Sequence, residues 1–355
     1  MIYYDESAVK VPPQYLQILG KKSKIGDVSY EKRGLKMDKK LLIIMNPRSG
    51  TMRANKHLTE IVEVFVEQGY LPTTLVTTKQ GDGTEYVKEY GAGQDLILCI
   101  GGDGTFNEVA SGIVESGLRI PVGYIPAGST NDFANSLGLS RDVILNAKGI
   151  AHGEKKPIDL GSFNGRPFSY IASFGAFTKA SYATPQSIKN SLGHLAYILE
   201  GVKEGLTALA SLKPIRMSIE ADGVLYEGDY LLGAVSNSTS IAGILTLKRE
   251  YVDMSDGLFE LLLIQMPKDL LELTELLHMI SLQNFYESNL ITFVNAKEFH
   301  IKADKDLSWT LDGEYQEGAE DIVIRNMHNA IDLVMKKKEP VIIESVWKGR
   351  ELRYQ

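Results

Sequence analysis

Cysteine is almost missing: Cys99 is the only one among 355 residues. No disulfide can close within the chain and no Cys-x-x-Cys zinc or redox pair exists, which fits a cytoplasmic protein. Cys99 itself stands inside an apolar run, where a small packing residue is expected and a nucleophile is not. A surplus of basic charge is missing as well. With 38 Lys and Arg against 45 Asp and Glu, the formal net charge is −7, which argues against a nucleic-acid partner. No apolar stretch reaches the ~18–20 residues that span a bilayer. The first 30 residues carry charges and prolines in place of the apolar core of a signal peptide. A soluble chain is expected. What is there is ordinary globular composition, 44% hydrophobic and 23% charged, in a chain long enough that two domains are the default.

Residues 1–36 read as an extension: Pro12, Pro13 and Gly20 break any periodicity, and Lys21, Lys22 and Lys24 cluster. From Lys40 strands and helices alternate. Leu41–Met45, Leu71–Thr77, Leu96–Ile100 and Pro121–Ile125 read as strands; Leu58–Glu67, Thr84–Tyr90 and Phe106–Glu115 read as helices. Such βαβ order implies a parallel sheet with helices on both faces. Beyond about residue 157 strand-like pieces dominate: Phe168–Ser173, Ile215–Glu220, Tyr230–Ser236, Gly257–Ile264, Glu298–Ala303 and Ser308–Leu311. Turns such as Ala221-Asp222-Gly223 and Asp312-Gly313 join them. Helical stretches intervene near Ile188–Glu204 and Leu270–Met279. That texture predicts a β-sandwich second domain.

Four segments carry chemistry. Gly101-Gly102-Asp103-Gly104-Thr105 follows the apolar run Leu96–Ile100 and leads into a helix. This is the layout of a phosphate cradle: glycines admit backbone N–H groups close to an anion, and the helix offers its positive end. Asp103 is the odd member, since a carboxylate there repels an anion unless a metal or a proton-transfer role accounts for it. Thr105-Phe106-Asn107-Glu108 also matches a capping box, so Thr105 and Glu108 read equally as helix starters. Asn46-Pro47-Arg48-Ser49-Gly50 lies at the carboxyl end of the first strand, where ligands of open α/β sheets sit; taken alone it is an ordinary Asn-Pro turn. Pro126-Ala127-Gly128-Ser129-Thr130-Asn131-Asp132-Phe133 follows another strand and reads either as a second ligand loop or as a helix N-cap at Thr130 or Asn131. Leu311-Asp312-Gly313-Glu314 is first of all a hairpin turn, but Asp312 and Glu314 flank it and could supply a base from the second domain.

Together, Asn-Pro-x-Ser-Gly, Gly-Gly-Asp-Gly-Thr-x-Asn-Glu and Pro-x-Gly-[ST]-x-Asn-Asp-Phe resemble the motifs of the diacylglycerol kinase catalytic family, in particular its soluble bacterial, sphingosine-kinase-like lipid kinases. The resemblance runs from about residue 40 to about residue 335, and Ser181–Pro185 and Leu192–Tyr197 are similar to the lipid-kinase second domain. It implies an α/β nucleotide-binding domain at 37–160, Rossmann-like and of the NAD-kinase/diacylglycerol-kinase type. A β-sandwich lipid-substrate domain at 161–327 follows, and the chain end, 328–355, is implied to pack back on the first domain. ATP and Mg²⁺ are the implied cofactors. ATP contacts carry over to Asn46, Pro47, Arg48, Ser49, Gly50, Thr77, Gly101, Gly102, Asp103, Gly104, Thr105, Phe106, Asn107 and Ser129. A metal of the second domain carries over to Asp253, Asp256 and Leu258, oxygen donors that suit Mg²⁺ or Ca²⁺; a plain β-turn is the other reading of that stretch. Asp103 and Asp132 are implied to form an acidic catalytic network, with Asp312 or Glu314 as the base.

The activity implied is transfer of the γ-phosphate of ATP to the hydroxyl of diacylglycerol, giving phosphatidic acid for phospholipid metabolism. A kinase for another lipid alcohol, such as a sphingoid base or a polyprenol, is the closest alternative. NAD kinase shares Gly-Gly-Asp-Gly but normally carries a Thr-Pro-x-Gly-Ser-Thr-Ala-Tyr loop that this chain lacks. A catalytically inactive lipid-binding protein is opposed by the presence of Asp103, Asp132 and Asp312. A lipid acceptor implies transient contact with the inner face of the membrane and an acyl groove, for which Phe174, Phe177, Leu195, Tyr197 and Ile198 are candidates. Lys21, Lys22, Lys24, Lys39 and Lys40 could attract anionic lipid. Family members often dimerise, so a homodimer is compatible with the resemblance.

Overall fold

Aliphatic alternation builds the first half. The computed structural model describes residues 37–50, 53–175, 213–241, 245–247, 252–282 and 288–337. Its elements begin with β1 (Lys39–Met45), α1 (Arg53–Lys56), α2 (Leu58–Val66), β2 (Tyr70–Val76) and α3 (Asp82–Tyr90). They continue with β3 (Leu96–Gly101), α4 (Asp103–Ser116), β4 (Val122–Pro126), α5 (Asp132–Leu137) and α6 (Val143–Ala151). The strands lie parallel in the order β2-β1-β3-β4. Successive side chains of a strand face opposite ways. Leu41, Ile43, Leu96, Leu98 and Ile100 therefore pack on α2 and α6. Leu42, Ile44, Ile97 and Cys99 pack toward Val87 of α3 and Phe106, Val109 and Ile113 of α4. Cys99 is fully buried, and burial raises its thiol pKa, so it packs as an inert core residue.

The second half is strand-rich: β5 (Glu154–Phe163), β6 (Arg166–Phe168), β7 (Ile171–Gly175), β8 (Ile215–Ala221), β9 (Val224–Ser236), β10 (Ser240–Ile241) and β11 (Leu245–Thr246). Then come β12 (Phe259–Gln265), α7 (Leu270–Leu282), β13 (Ile291–Ala296), β14 (Glu298–Lys302), β15 (Trp309–Leu311), β16 (Glu314–Gln316) and β17 (Asp321–Met335). A core made only of strand residues sits inside it, including Phe168, Phe174, Phe259, Phe299 and Trp309. β17 joins the halves. It pairs antiparallel with β5 and β14, and its end pairs parallel with β4 at Leu333↔Val122.

Two sequence expectations are corrected. Phe168–Ser173 is not one strand, because β6 stops at Phe168 and β7 starts at Ile171. The N–H groups of Ser169 and Tyr170 leave the ladder to bind the Asp312 carboxylate. Phe174 lines no groove: its ring packs 4.9 Å from that of Trp309 in the core. The extension 1–36, the helical stretch at 188–204, the segments 181–185 and 192–197, Phe177, Ile198, Lys21, Lys22, Lys24 and the tail 338–355 lie outside the described residues.

Candidate active site

Three strand ends of the parallel sheet open onto one cleft of ≈ 810 Å³, a size that admits a nucleotide. Its walls are Asn46, Arg48 and Ser49 after β1, Thr77, Thr78, Lys79 and Gln80 after β2, and Gly102, Gly104, Thr105 and Glu108 at the start of α4. Arg166, Gly313, Glu314 and Tyr315 close it from the strand-rich half.

The glycine turn is held by close backbone approach. A Cβ on Gly128 would lie 2.7 Å from the Gly102 Cα, so the loop after β4 tolerates no side chain where it crosses the glycine turn. Asn131 takes a left-handed conformation (φ 54°); its Oδ1 accepts from Gly128 N and its Nδ2 donates to Gly128 O, both at 2.8 Å. It occupies the N-cap position of α5 without capping it. The capping-box reading of Thr105 and Glu108 is likewise overturned. Gly102 is the N-cap of α4 and Thr105 already lies inside the helix. The Thr105 hydroxyl accepts instead from Asn46 Nδ2 at 3.2 Å. Glu108 turns to the neighbouring helix start, accepting from Gly81 N at 2.8 Å and Gly83 N at 2.9 Å. The first-turn N–H groups of α4 have no partner within the helix, and Gly102, Gly104 and Thr105 at its positive end line the cleft.

The loop after β2 is fixed by Asp82, whose Oδ2 accepts from Thr78 N (2.7 Å), Thr78 Oγ1 (2.9 Å) and Lys79 N (3.1 Å). Those hydrogen bonds hold its carboxyl below the usual carboxylate range.

Behind the turn lies an acidic group. Asp103 Oδ2 accepts from Asp132 N at 2.9 Å, and its Oδ1 accepts from the Tyr124 hydroxyl at 3.4 Å. Burial first, then the charges of Asp132 and Asp312, push Asp103 up to about 7. Burial also raises Asp132.

The 312–314 hairpin divides its two carboxylates. Asp312, 5% exposed and at φ 51°, accepts from Ser169 N (2.5 Å), Tyr170 N (2.9 Å) and Ile171 N (3.1 Å). Burial outweighs those donors and moves it up to about 6. Glu314 faces the cleft. Its Oε2 accepts from Arg166 Nη2 at 3.1 Å and Gln80 Nε2 at 3.2 Å. Its Oε1 is 3.4 Å from where a Cβ on Gly104 would sit, directly over the glycine turn. Burial raises Glu314 while Arg166 pulls it back.

The remaining expected residues are placed as follows. Thr77 lines the cleft and donates its N–H to Met45 O. Gly50 abuts the Ala127–Gly128 backbone, and Pro47 O accepts from Asn55 Nδ2. Gly101 O accepts from Ala127 N. The Phe106 side chain packs on Tyr124 and Phe133, and Asn107 Oδ1 accepts from the Ser111 and Ser169 hydroxyls, so both turn inward. Ser129 is exposed on its loop. Sequence reasoning missed Thr78, Lys79, Gln80 and Arg166. The first three follow a strand end, the same signal that singled out Asn46; Arg166 has no local signal.

The 253–258 turn lies elsewhere. Asp253 Oδ1 accepts from Ser255 N and Oγ, Asp256 Oδ1 accepts from Leu258 N, and Leu258 O accepts from Asn326 Nδ2. Among the described residues no three His, Cys, Asp or Glu side chains converge as a metal-binding group, and no helix is long and apolar enough to cross a membrane.

Two family models match in tandem: the diacylglycerol kinase catalytic domain over residues 40–163 and the YegS C-terminal NAD kinase beta sandwich-like domain over residues 173–334. The diacylglycerol kinase of Bacillus subtilis (strain 168) is 35% identical over 303 residues, covering 85% of this chain and 98% of that protein. The chain belongs to the diacylglycerol kinase catalytic family. A second member of this family, the diacylglycerol kinase of Staphylococcus aureus (strain MRSA252), is 31% identical over 280 residues, 79% of this chain and 87% of that protein. The crystal structure of a diacylglycerol kinase from Bacillus anthracis str. Sterne has the same fold, with TM-score 0.64 and 24% identity over 87% of this chain and 99% of that chain. As a kinase of this family, the protein is an enzyme that takes its phosphoryl group from ATP.

Proposed function

We propose that this enzyme transfers the γ-phosphoryl group of ATP to the hydroxyl of diacylglycerol, giving phosphatidic acid. One observation carries the reading: the glycine turn with its helix-start N–H groups and the Glu314 carboxylate from the other half share one cleft. Phosphoryl transfer asks little covalent work of a protein; positioning and charge neutralisation dominate. Backbone N–H groups around Gly102 and Gly104 cradle the phosphates. Asn46, Ser49, Thr77 and Thr105 offer hydrogen bonds, and Arg48, Lys79 and Arg166 bring positive charge to the same cleft.

Glu314 accepts the proton of the lipid hydroxyl, because it lines the cleft above the turn. Asp312 positions the hairpin, since its two oxygens are taken by three backbone N–H groups. Buried Asp103 lies close enough to Asp132 and Asp312 for their charges to raise it, an arrangement that favours a cation. Asp103 and Asp132 would hold the Mg²⁺ that accompanies ATP, which when bound neutralises charge on the phosphate oxygens. Asp253, Asp256 and the Leu258 carbonyl are hard oxygen donors that suit a second such ion. The lipid is met at the cytoplasmic face of the membrane.

The test incubates the purified enzyme with radiolabelled ATP, Mg²⁺ and mixed micelles containing diacylglycerol, a sphingoid base or a polyprenol. Label in phosphatidic acid, well above label in the other products, is expected. Label on another alcohol and none on diacylglycerol would overturn the assignment.

A further inference from the structure

A hydrogen bond crosses the cleft to Glu314. Gln80 Nε2, on the loop after β2, donates to Glu314 Oε2 at 3.2 Å. Arg166 Nη2 donates to the same oxygen at 3.1 Å. The two donors differ in what holds them. Arg166 also donates to Tyr315 O at 3.3 Å and Gln316 Oε1 at 2.9 Å, so it is bound to the hairpin that carries Glu314. Gln80 belongs to the facing wall.

The loop that carries Gln80 is fastened on both sides of it. Thr77 N donates to Met45 O, and the N–H groups of Thr78 and Lys79 donate to the Asp82 carboxylate. Gly81 N donates to Glu108 of α4, the helix that begins at the glycine turn. The Gln80 side chain is therefore exposed on an anchored backbone. Thr77, Thr78, Lys79 and Gln80 all line the cleft. An ionised carboxylate only accepts, so the amide must meet it with its nitrogen. A hydrogen bond to an ionised acceptor is about twice as strong as one between neutral groups.

The terminal torsion of a glutamate side chain is broad, so nothing within Glu314 sets the plane of its carboxylate. With Arg166 alone the group pivots about a single contact. A second donor from the facing wall stops that pivot and leaves Oε1 over Gly104. We propose that Gln80 is a positioning residue, whose amide sets the Glu314 carboxylate so that the oxygen over Gly104 takes the proton of the acceptor hydroxyl. The proposal rests on the reading that Glu314 is the base. In that step the hydroxyl O–H bond breaks and its proton passes to the carboxylate. The hydroxyl oxygen forms its bond to the γ-phosphorus with the electron pair released. The bond from that phosphorus to the β–γ bridging oxygen breaks, and ADP leaves with the electrons. Because Gln80 stands on the wall beside the glycine turn, the base is set from the side that receives ATP.

The test follows the full chain with ATP, Mg²⁺ and diacylglycerol in mixed micelles across a range of pH. Burial raises the Glu314 carboxyl, Arg166 lowers it, the Glu108 charge raises it and Gln80 lowers it. Asp312 on the same hairpin, and Arg48 and Lys79 on the cleft wall, are the other charges near it and stay in place in each variant. Gln80→Leu keeps the bulk and removes the donor. Its kcat should fall about tenfold with little change in the KM for ATP, since misplaced groups cost rate. Its acidic limb should move to higher pH. Gln80→Lys restores a donor and adds a positive charge, so kcat should recover and the limb should move to lower pH. A role confined to stability would not shift the limb in opposite directions. A wild-type kcat in Gln80→Leu, or a limb that stays or moves to lower pH, overturns the proposal. Glu314→Gln is assayed beside them. If it is inactive while Gln80→Leu behaves as the wild type, only the role of Gln80 falls; if Glu314→Gln is fully active, the reading of the base falls and the role of Gln80 with it.

Discussion

The loops at the strand ends of the α/β half hold one another, whereas the 312–314 hairpin is held from both halves of the molecule. Asn46 reaches Thr105, Glu108 reaches Gly81 and Gly83, and Asn131 clamps Gly128, all within the first half. On the hairpin, Asp312 is fixed by Ser169, Tyr170 and Ile171 of its own half, while Glu314 is shared between Arg166 and, across the cleft, Gln80. The difference separates two jobs. On the proposed reading, the phosphate side is preorganised as a unit. The acceptor side has one carboxylate built into the backbone and one suspended by charge over the turn.

That contrast can be strained from either side. The largest effect is expected at the phosphate side. Asp103→Asn keeps one acceptor oxygen for Asp132 N but removes the charge, and turnover should fall by ~10²–10³ with little change in melting midpoint. Near-normal turnover would mean that the acidic group behind the turn is architectural. A smaller effect belongs to Arg166→Ala. As the proposed base, Glu314 must be ionised to accept a proton, so kcat/KM is expected to rise with pH as it deprotonates. Burial holds its pKa above the ordinary value and Arg166 pulls it down. Removing Arg166 should therefore move the acidic limb of the pH profile to higher pH. An unmoved limb, or one displaced to lower pH, would detach Glu314 from the chemistry.

The same contrast explains what the sequence made legible. The strands of the α/β half announce themselves because both faces of the sheet are covered and apolar residues run on without a break, as in Leu96–Ile100. The glycine turns are readable because loops at strand ends bind ligands. Local motifs misled where a partner came from afar. Glu108 has the spacing of a capping residue but serves the start of another helix, 25 and 27 residues earlier in the chain. Phe168–Ser173 has the composition of one strand, and Asp312, 143 residues away from Ser169, breaks it. Arg166 meets Glu314 across 148 residues, and Gln80 meets it across 234. No pattern of neighbours in the sequence encodes those meetings; they exist only once the hairpin lies over the cleft.

The division of labour between Asp312 and Glu314 is the centre of this account, and single-turnover phosphoryl transfer to diacylglycerol, measured beside thermal melts for Glu314→Gln and Asp312→Asn, tests it most directly. Glu314→Gln should lower the transfer rate by at least ~10²-fold while its melting midpoint stays close to wild type. Asp312→Asn loses acceptor capacity for the three N–H groups and should cost about 1–3 kcal/mol of stability. Glu314→Gln transferring phosphate at the wild-type rate, with Asp312→Asn folded as stably as the wild type but inactive, would contradict the account.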